Sequence, residues 1–337
     1  MENKINIEEF KVLFVSSSGK VFKFIPFIKS QYESLQPFVR KIDHYRIKGS
    51  GIKAYILAYK ELKKILKSEK YDIIHAHWTY SGIICSSLIK KEKLVVSFMG
   101  NDLFGIYTKK YNILTFKGLI NILLSQYLLF KTDAIIVKSK RMIRWIPFYC
   151  RYKTQIVPNG VNLNKFKPLD QNEAKKYLQI EPQQKYILFL GDTKDSNKNF
   201  DLLKKAGLQL DKAEVSYKIL KPYPIDRTKV PFYLAAADVL AFTSKLEGSP
   251  NIIKEAIAMG CPIVATDVGD VIERISGIDG CYISKFDEYD FSEKLAAALK
   301  SDKRINPNGH LNEISEINTA RKIISLYVKM IKSPLHR

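Results

Sequence analysis

Cysteine is scarce in this chain. Four stand among 337 residues (Cys85, Cys150, Cys261 and Cys281), none in a CxxC spacing. That excludes a dense disulfide framework and a cysteine-built zinc site, and it fits a reducing cytoplasm. No uninterrupted apolar run reaches the roughly 18 residues of a spanning helix, so nothing reads clearly as a membrane span. The opening, MENKINIEEFKVLFVSSSG, carries acids and then a strand-like run instead of a signal peptide. A GxGxxG fingerprint is missing, and with it the standard support for a dinucleotide site. No DxD spacing offers paired carboxylates to a metal, and His75 and His77 have no Cys/His cluster near them, so no metal is expected. Acidic residues are scarce in one half only. Residues 1–167 hold 30 Lys/Arg against 11 Asp/Glu, while residues 168–337 hold 25 against 23. Nearly all of the formal +21 charge therefore lies in the first half, which points to an anionic partner: a membrane surface, a phosphate-bearing acceptor or nucleic acid. No recognition motif supports nucleic acid, and none is expected as a partner. The bland alternative is a lysine-rich solvated surface.

What is present is enough for two cores, at 337 residues and 46% hydrophobic content. Short apolar runs at 10–16, 71–76, 94–98, 133–139, 185–191, 215–220, 238–244, 262–266 and 276–283 read as buried strands. Helical patterns stand at 21–35, 51–69, 230–237, 251–259, 291–299 and 313–331. The alternation predicts an α/β chain of two doubly wound, Rossmann-like parallel sheets. The boundary is placed near 167, after the tight turn Pro158-Asn159-Gly160. The stretch 114–130 is nearly apolar with one charge, Lys117, and reads first as a buried helix and second as a membrane-surface contact. The stretch 138–153 mixes Lys and Arg with Trp145, Phe148, Tyr149 and Tyr152, which suits lipid headgroups.

The chemistry gathers in Ser244 to Arg274, SKLEGSPNIIKEAIAMGCPIVATDVGDVIER. It reads as loop, helix, strand, loop. Gly260 suits the position just past the helix end, and Pro262 prevents continuation. Glu247 precedes the helix and Glu255 lies just over a turn inside it. Between them, the amides of Ser249, Asn251 and Ile252 are orphan donors of a helix N-terminus, where Pro250 has no N–H to lose. Such an end suits a phosphate or a sugar hydroxyl. A carboxylate can accept from two vicinal hydroxyls of a ribose or pyranose. The group reads as a nucleotide-sugar cradle. The bland reading is an ordinary helix start with two solvated glutamates.

This stretch resembles the family 4 glycosyltransferases, retaining enzymes of the GT-B fold. Their Glu-x7-Glu context stands here as Glu247-Gly248-Ser249-Pro250, Glu255-Ala256, Gly260-Cys261-Pro262 and Ala265-Thr266-Asp267-Val268-Gly269. The resemblance implies two domains facing across a cleft, residues 1–167 on the acceptor side and 168–337 holding the donor, with a last helix at about 313–333 crossing back. It implies roles for Glu247 on the sugar and Glu255 on the ribose. Lys198 and the amides from Ser249 to Ile252 would meet the departing diphosphate. The family's Gly-Arg…Lys pair is incomplete, since Asp192 follows Gly191 where the Arg is expected. Lys194 stands near as a substitute. Gly19, after the first strand, occupies the position of a glycine near the donor phosphates. Asp72-Ile73-Ile74-His75-Ala76-His77 matches a family stretch and puts His77, in the loop after its strand, near the acceptor. Gly100 and Asp102 match an HGxD motif whose His position holds Phe98 or Met99. Asp102 is read either as acceptor base or orienter, or as a cap of the next segment.

The expectation is a cytoplasmic, retaining, hexosyltransferase-like enzyme without a cofactor. It would take a UDP- or GDP-sugar and a lipid-linked or polysaccharide acceptor, with an inner-face membrane association left open. The other readings are a same-fold sugar-nucleotide epimerase or hydrolase, and a non-catalytic module binding membranes or nucleic acid through the basic half.

Overall fold

The computed structural model describes residues 8–17, 25–105, 114–301 and 303–332. The first part runs β1 (Glu8–Ser17), α1 (Pro26–Leu35), β2 (Val39–Ile47), α2 (Ile52–Ser68), β3 (Ile73–His77), α3 (Thr79–Leu88), β4 (Lys93–Ser97), α4 (Asn101–Phe104), α5 (Phe116–Lys131), β5 (Ala134–Val137) and β6 (Thr154–Ile156). All neighbouring strands are parallel, in the order β2-β1-β3-β4-β5-β6. Alternate residues feed two cores. Leu13, Val15, Ile74, Ala76 and Val96 pack on one face of the sheet, and Val12, Phe14, Ile73, Val95 and Ile136 on the other.

The second part runs α6 (Gln171–Tyr177), β7 (Tyr186–Leu188), α7 (Phe200–Lys212), β8 (Lys218–Leu220), α8 (Val230–Ala236), β9 (Val239–Phe242), α9 (Asn251–Ala258), β10 (Ile263–Thr266), α10 (Val271–Ile275), β11 (Cys281–Ser284), α11 (Glu288–Ser301) and α12 (Leu311–Ile314). Its parallel sheet has the order β11-β10-β9-β7-β8. Both sheets follow one scheme. The second strand lies outside the first, and the third returns to the first strand's other side. That reversal makes a switch point between β1 and β3 in one sheet and between β7 and β9 in the other.

The chain closes with α13 (Glu316–Lys332), whose Ala320, Ile323, Ile324 and Tyr327 join the core under β1 and β3. The compact units divide at Gly160/Val161 and at Ser315/Glu316, where the sequence reading sets one boundary near 167. The single helix expected over 313–331 is interrupted at Ser315. That residue is extended, and Val161 N–H donates to Ile314 O at 2.7 Å beside it.

Two readings of the first half need correction. His77 is not in a loop but is the last residue of β3, fully buried. The helix over 114–130 forms as α5 but is not a buried apolar helix. Its inward face is Gly118, Asn121, Ser125, Leu128 and Leu129, while Phe116, Leu119, Leu123, Tyr127 and Phe130 point outward. The helix expected from residue 21 begins at Pro26, with residues 21–24 outside the described residues.

Candidate active site

Two loops leave neighbouring strands at the switch point of the second sheet, one after β7 and one after β9. Their backbones are tied together. Thr243 Oγ1 donates to Lys198 O at 2.7 Å, Lys245 N–H donates to Asn197 O at 2.8 Å, and Asn197 Nδ2 donates to Leu246 O at 3.0 Å. The ties bring Lys198 Nζ to 2.6 Å from Glu247 Oε1, with side chains 32% and 21% exposed. The pair is thus formed and open to a ligand. Gly191 makes room for it, because a Cβ there would stand 3.1 Å from Lys198 Cγ.

The loop carrying Glu247 rests on Gly269. That glycine has φ +60°, and an added Cβ would meet Gly248 O at 2.7 Å and Glu247 O at 3.0 Å. Both terms oppose any side chain. Gly269→Ala is therefore expected to lower stability by about 1–3 kcal/mol and to displace Glu247. Denaturant unfolding measures the first effect, and loss of ligand binding at the Lys198–Glu247 pair the second.

α9 begins at Asn251 with Pro250 as its cap residue and no side-chain cap bond, so the first-turn amides keep donor capacity. Asn251 Oδ1 is buried and has no hydrogen-bond partner among the described residues. A ligand hydroxyl would satisfy it. The Ser249 hydroxyl is engaged elsewhere. Lys254 Nζ donates to Ser249 Oγ at 2.9 Å, Ser249 Oγ donates to Asp270 Oδ2 at 2.8 Å, and Arg274 Nε donates to the same oxygen at 2.8 Å. Burial pushes the Lys254 ammonium down to about 8. What Ser249 can offer a ligand is its backbone. Gly260, just past α9, has the φ of +69° that ends the helix.

Glu255 is buried and meets a cation that sequence reasoning missed. Arg227 grips it with both ends of its fork, Nη1 to Oε2 at 3.3 Å and Nη2 to Oε1. The guanidinium also lies 5.8 Å from the Phe166 ring centroid. Arg227 stands in the connection between β8 and α8, outside any motif. Asp192 itself serves its turn, accepting Lys194 N–H at 2.9 Å, and Lys194 is exposed.

In the first unit, Asp102 is buried. Its carboxylate accepts Met99 N–H at 3.0 Å and Gly100 N–H at 2.9 Å on Oδ1, fastening the loop after β4. Burial raises its carboxyl to about 6. A raised acid binds more protons folded than unfolded, so its stabilisation is full below about pH 4 and lost as pH rises through about 6. Relative to Asp102→Asn, the wild type is expected to lose on the order of 1–3 kcal/mol over that window, read from paired unfolding curves. His77 Nε2 lies 3.2 Å from Gln31 Oε1, and its ring stacks on His75 with centroids 4.5 Å apart. His75 Nδ1 lies 2.6 Å from the Tyr327 hydroxyl and Nε2 2.8 Å from Ser97 Oγ. Burial holds both imidazoles well below their usual range, so they stay neutral. Tyr327→Phe strips one partner from buried His75 and is expected to cost about 1–3 kcal/mol, seen as a lower unfolding midpoint. Gly19 lies outside the described residues.

Residues 210–301 match the family model described as glycosyl transferases group 1, and residues 26–139 match that described as glycosyl transferase 4-like. Among relatives, the UDP-Gal:alpha-D-GlcNAc-diphosphoundecaprenol alpha-1,3-galactosyltransferase of Escherichia coli is 23% identical, over 80% of this chain and 78% of its own length. Among solved structures, sucrose-phosphate synthase from Thermosynechococcus elongatus superposes with TM-score 0.76 at 15% identity, over 96% of this chain and 99% of that one. Anabaena HepE in complex with UDP and glucose superposes with TM-score 0.63 at 15% identity, over 96% and 98%. The fold is that of the GT-B glycosyltransferases, each part of the chain matches a glycosyltransferase model, and the chain belongs to the group 1, family 4 glycosyltransferases.

Proposed function

We propose that the protein is a retaining glycosyltransferase that moves a sugar from a nucleotide-sugar donor to a hydroxyl of a lipid-linked or polysaccharide acceptor in envelope glycan or glycolipid assembly. The observation that carries this reading is the formed Lys198–Glu247 pair beside the uncapped head of α9. Lys198 and the amides between Gly248 and Ile252 hold the diphosphate. Glu247 and Asn251 take sugar hydroxyls. Glu255, oriented by Arg227, takes the ribose hydroxyls, so Arg227 acts as a positioning residue. Asp102 keeps the acceptor-side loop in shape, with His77 in the wall behind it.

As the bond from the anomeric carbon to the diphosphate breaks, its electron pair goes to the phosphate oxygen. The acceptor oxygen bonds to that carbon from the same side, and its proton goes to the departing phosphate. The charge that develops is on phosphate, so cations and amides carry most of the stabilisation. The E. coli relative's named substrates, UDP-Gal and a diphosphoundecaprenol-linked sugar, support a UDP donor and a lipid-linked acceptor, and the UDP bound to HepE supports the donor alone.

The test is incubation with UDP- and GDP-sugars and a bacterial lipid extract, with the product anomer read by NMR. A new glycoside of unchanged anomeric configuration is expected. An inverted product rejects the retaining reading. Free or epimerised sugar formed without acceptor rejects transfer itself.

A further inference from the structure

α5 is amphipathic the wrong way round for a helix of a water-exposed surface. Polar Asn121 and Ser125 face inward, where Ser125 Oγ and Asn121 Nδ2 donate to Asp102 O at 2.5 and 3.3 Å. Its apolar stripe faces out, with Phe116 79% and Leu123 60% exposed. The stripe is widened by a neighbouring segment. Trp145 O accepts from Gln126 of α5 at 3.1 Å, and Tyr149 stacks on Phe130 with centroids 5.1 Å apart. Phe148 and Tyr152 each stand 80% exposed. Lys117, Lys131, Lys140 and Arg144 are exposed along the same two segments.

Beside Phe130 and Tyr152 opens a cavity of about 800 Å3. It lies at the amino ends of β4, β5 and β6, the sheet edge opposite the carboxyl ends where α/β proteins take their substrates. Lys93, Lys131, Lys153 and Lys329 line it against one acid, Asp133. Asp133 is committed in part to the backbone, accepting Leu94 N–H at 2.7 Å. The lining therefore has a net positive charge and two aromatic rings at its mouth.

We propose that this face docks on an anionic phospholipid surface, with the outward stripe of α5 lying among headgroups and the lysine-lined cavity seating a lipid phosphate. Apolar side chains flanked by lysines and aromatic rings match the boundary between headgroups and acyl chains. The charge complements an anionic leaflet, since residues 1–167 hold 30 Lys/Arg against 11 Asp/Glu. The same charge opposes a second copy of this face, and aliphatic Leu119 and Leu123 offer nothing to a nucleic acid base. The inward bonds of α5 to Asp102 fasten this face to the segment after β4. Docking of this face uses none of the residues of the transfer site.

The test is flotation of the full chain with vesicles of mixed phosphatidylglycerol and phosphatidylcholine, and with phosphatidylcholine alone. Binding to the mixed vesicles only, weakened by salt, is expected. Leu123→Glu with Phe130→Glu should abolish it. Lys131→Glu with Lys329→Glu should weaken it by about thirtyfold or more, as removal of two surface cations implies. Equal binding to both vesicle types, or wild-type binding by either variant pair, overturns the proposal. So does a wild-type dimer that Leu123→Glu with Phe130→Glu makes monomeric while vesicle binding persists, because a second copy then covers the stripe.

Discussion

Glu247→Gln is expected to lower kcat by about 10²–10³ while leaving the unfolding midpoint nearly unchanged. The amide keeps the size of the side chain but removes the charge that holds Lys198 Nζ at 2.6 Å. The pair is partly open to water, and such pairs contribute only about 0–1 kcal/mol to stability. On the proposed role its worth lies in the transition state, where charge moves onto the departing diphosphate and one misplaced donor costs about 2.7–4 kcal/mol. Lys198→Ala should behave alike. Steady-state kinetics beside thermal unfolding separates the two effects. A variant with full kcat, or one that loses activity only because it unfolds, contradicts the assignment.

Arg227→Ala is expected to show the opposite balance. It leaves the Glu255 carboxylate, 4% exposed, without its bidentate partner. Breaking a buried pair costs about 3–5 kcal/mol, reduced here because Arg227 itself is 38% exposed, so a loss of about 2 kcal/mol is expected. Donor KM should rise more than kcat falls, since Glu255 would lose the partner that orients it for its proposed ribose contact. Arg227→Ala paired with Glu255→Gln should recover part of the stability, because an amide needs no counter-charge. Chemical denaturation of the three variants measures the coupling. Additive losses would show that the two side chains do not act as a pair.

Much of this molecule can be read from its sequence because its strands are short, fully buried runs. FKVLFVS, LVVSF and PIVAT leave little doubt as apolar segments bounded by turns. β2 was not read. VRKIDHYRI is an edge strand, and edges carry charge. Composition told that α5 was apolar but not which way it faced. Direction depends on Asn121 and Ser125 finding Asp102 O, a contact no periodicity encodes. The helical pattern over 313–331 runs through Ser315 without a signal, because the break there is made with Val161, far away in the chain.

The candidate site divides similarly. Glu247, Gly248, Pro250 and Glu255 were visible as one string, and their loop and helix form together. Ser249 was visible too, yet its hydroxyl faces Asp270 and Lys254, a partnership set by the folded loop 267–270. Arg227 was invisible because the residue that grips Glu255 comes from a different connection, joined only by the fold.

Equilibrium binding of a panel of nucleotide sugars to the wild type and to Glu255→Gln, followed by thermal shift with and without magnesium, tests the central claim most directly. Stabilisation by one uridine or guanosine sugar, independent of magnesium and lost in the variant, is the expected result. Equal stabilisation of both proteins, or no response of the wild type to any nucleotide sugar even with acceptor lipid present, would contradict a donor site built on Glu247 and Glu255.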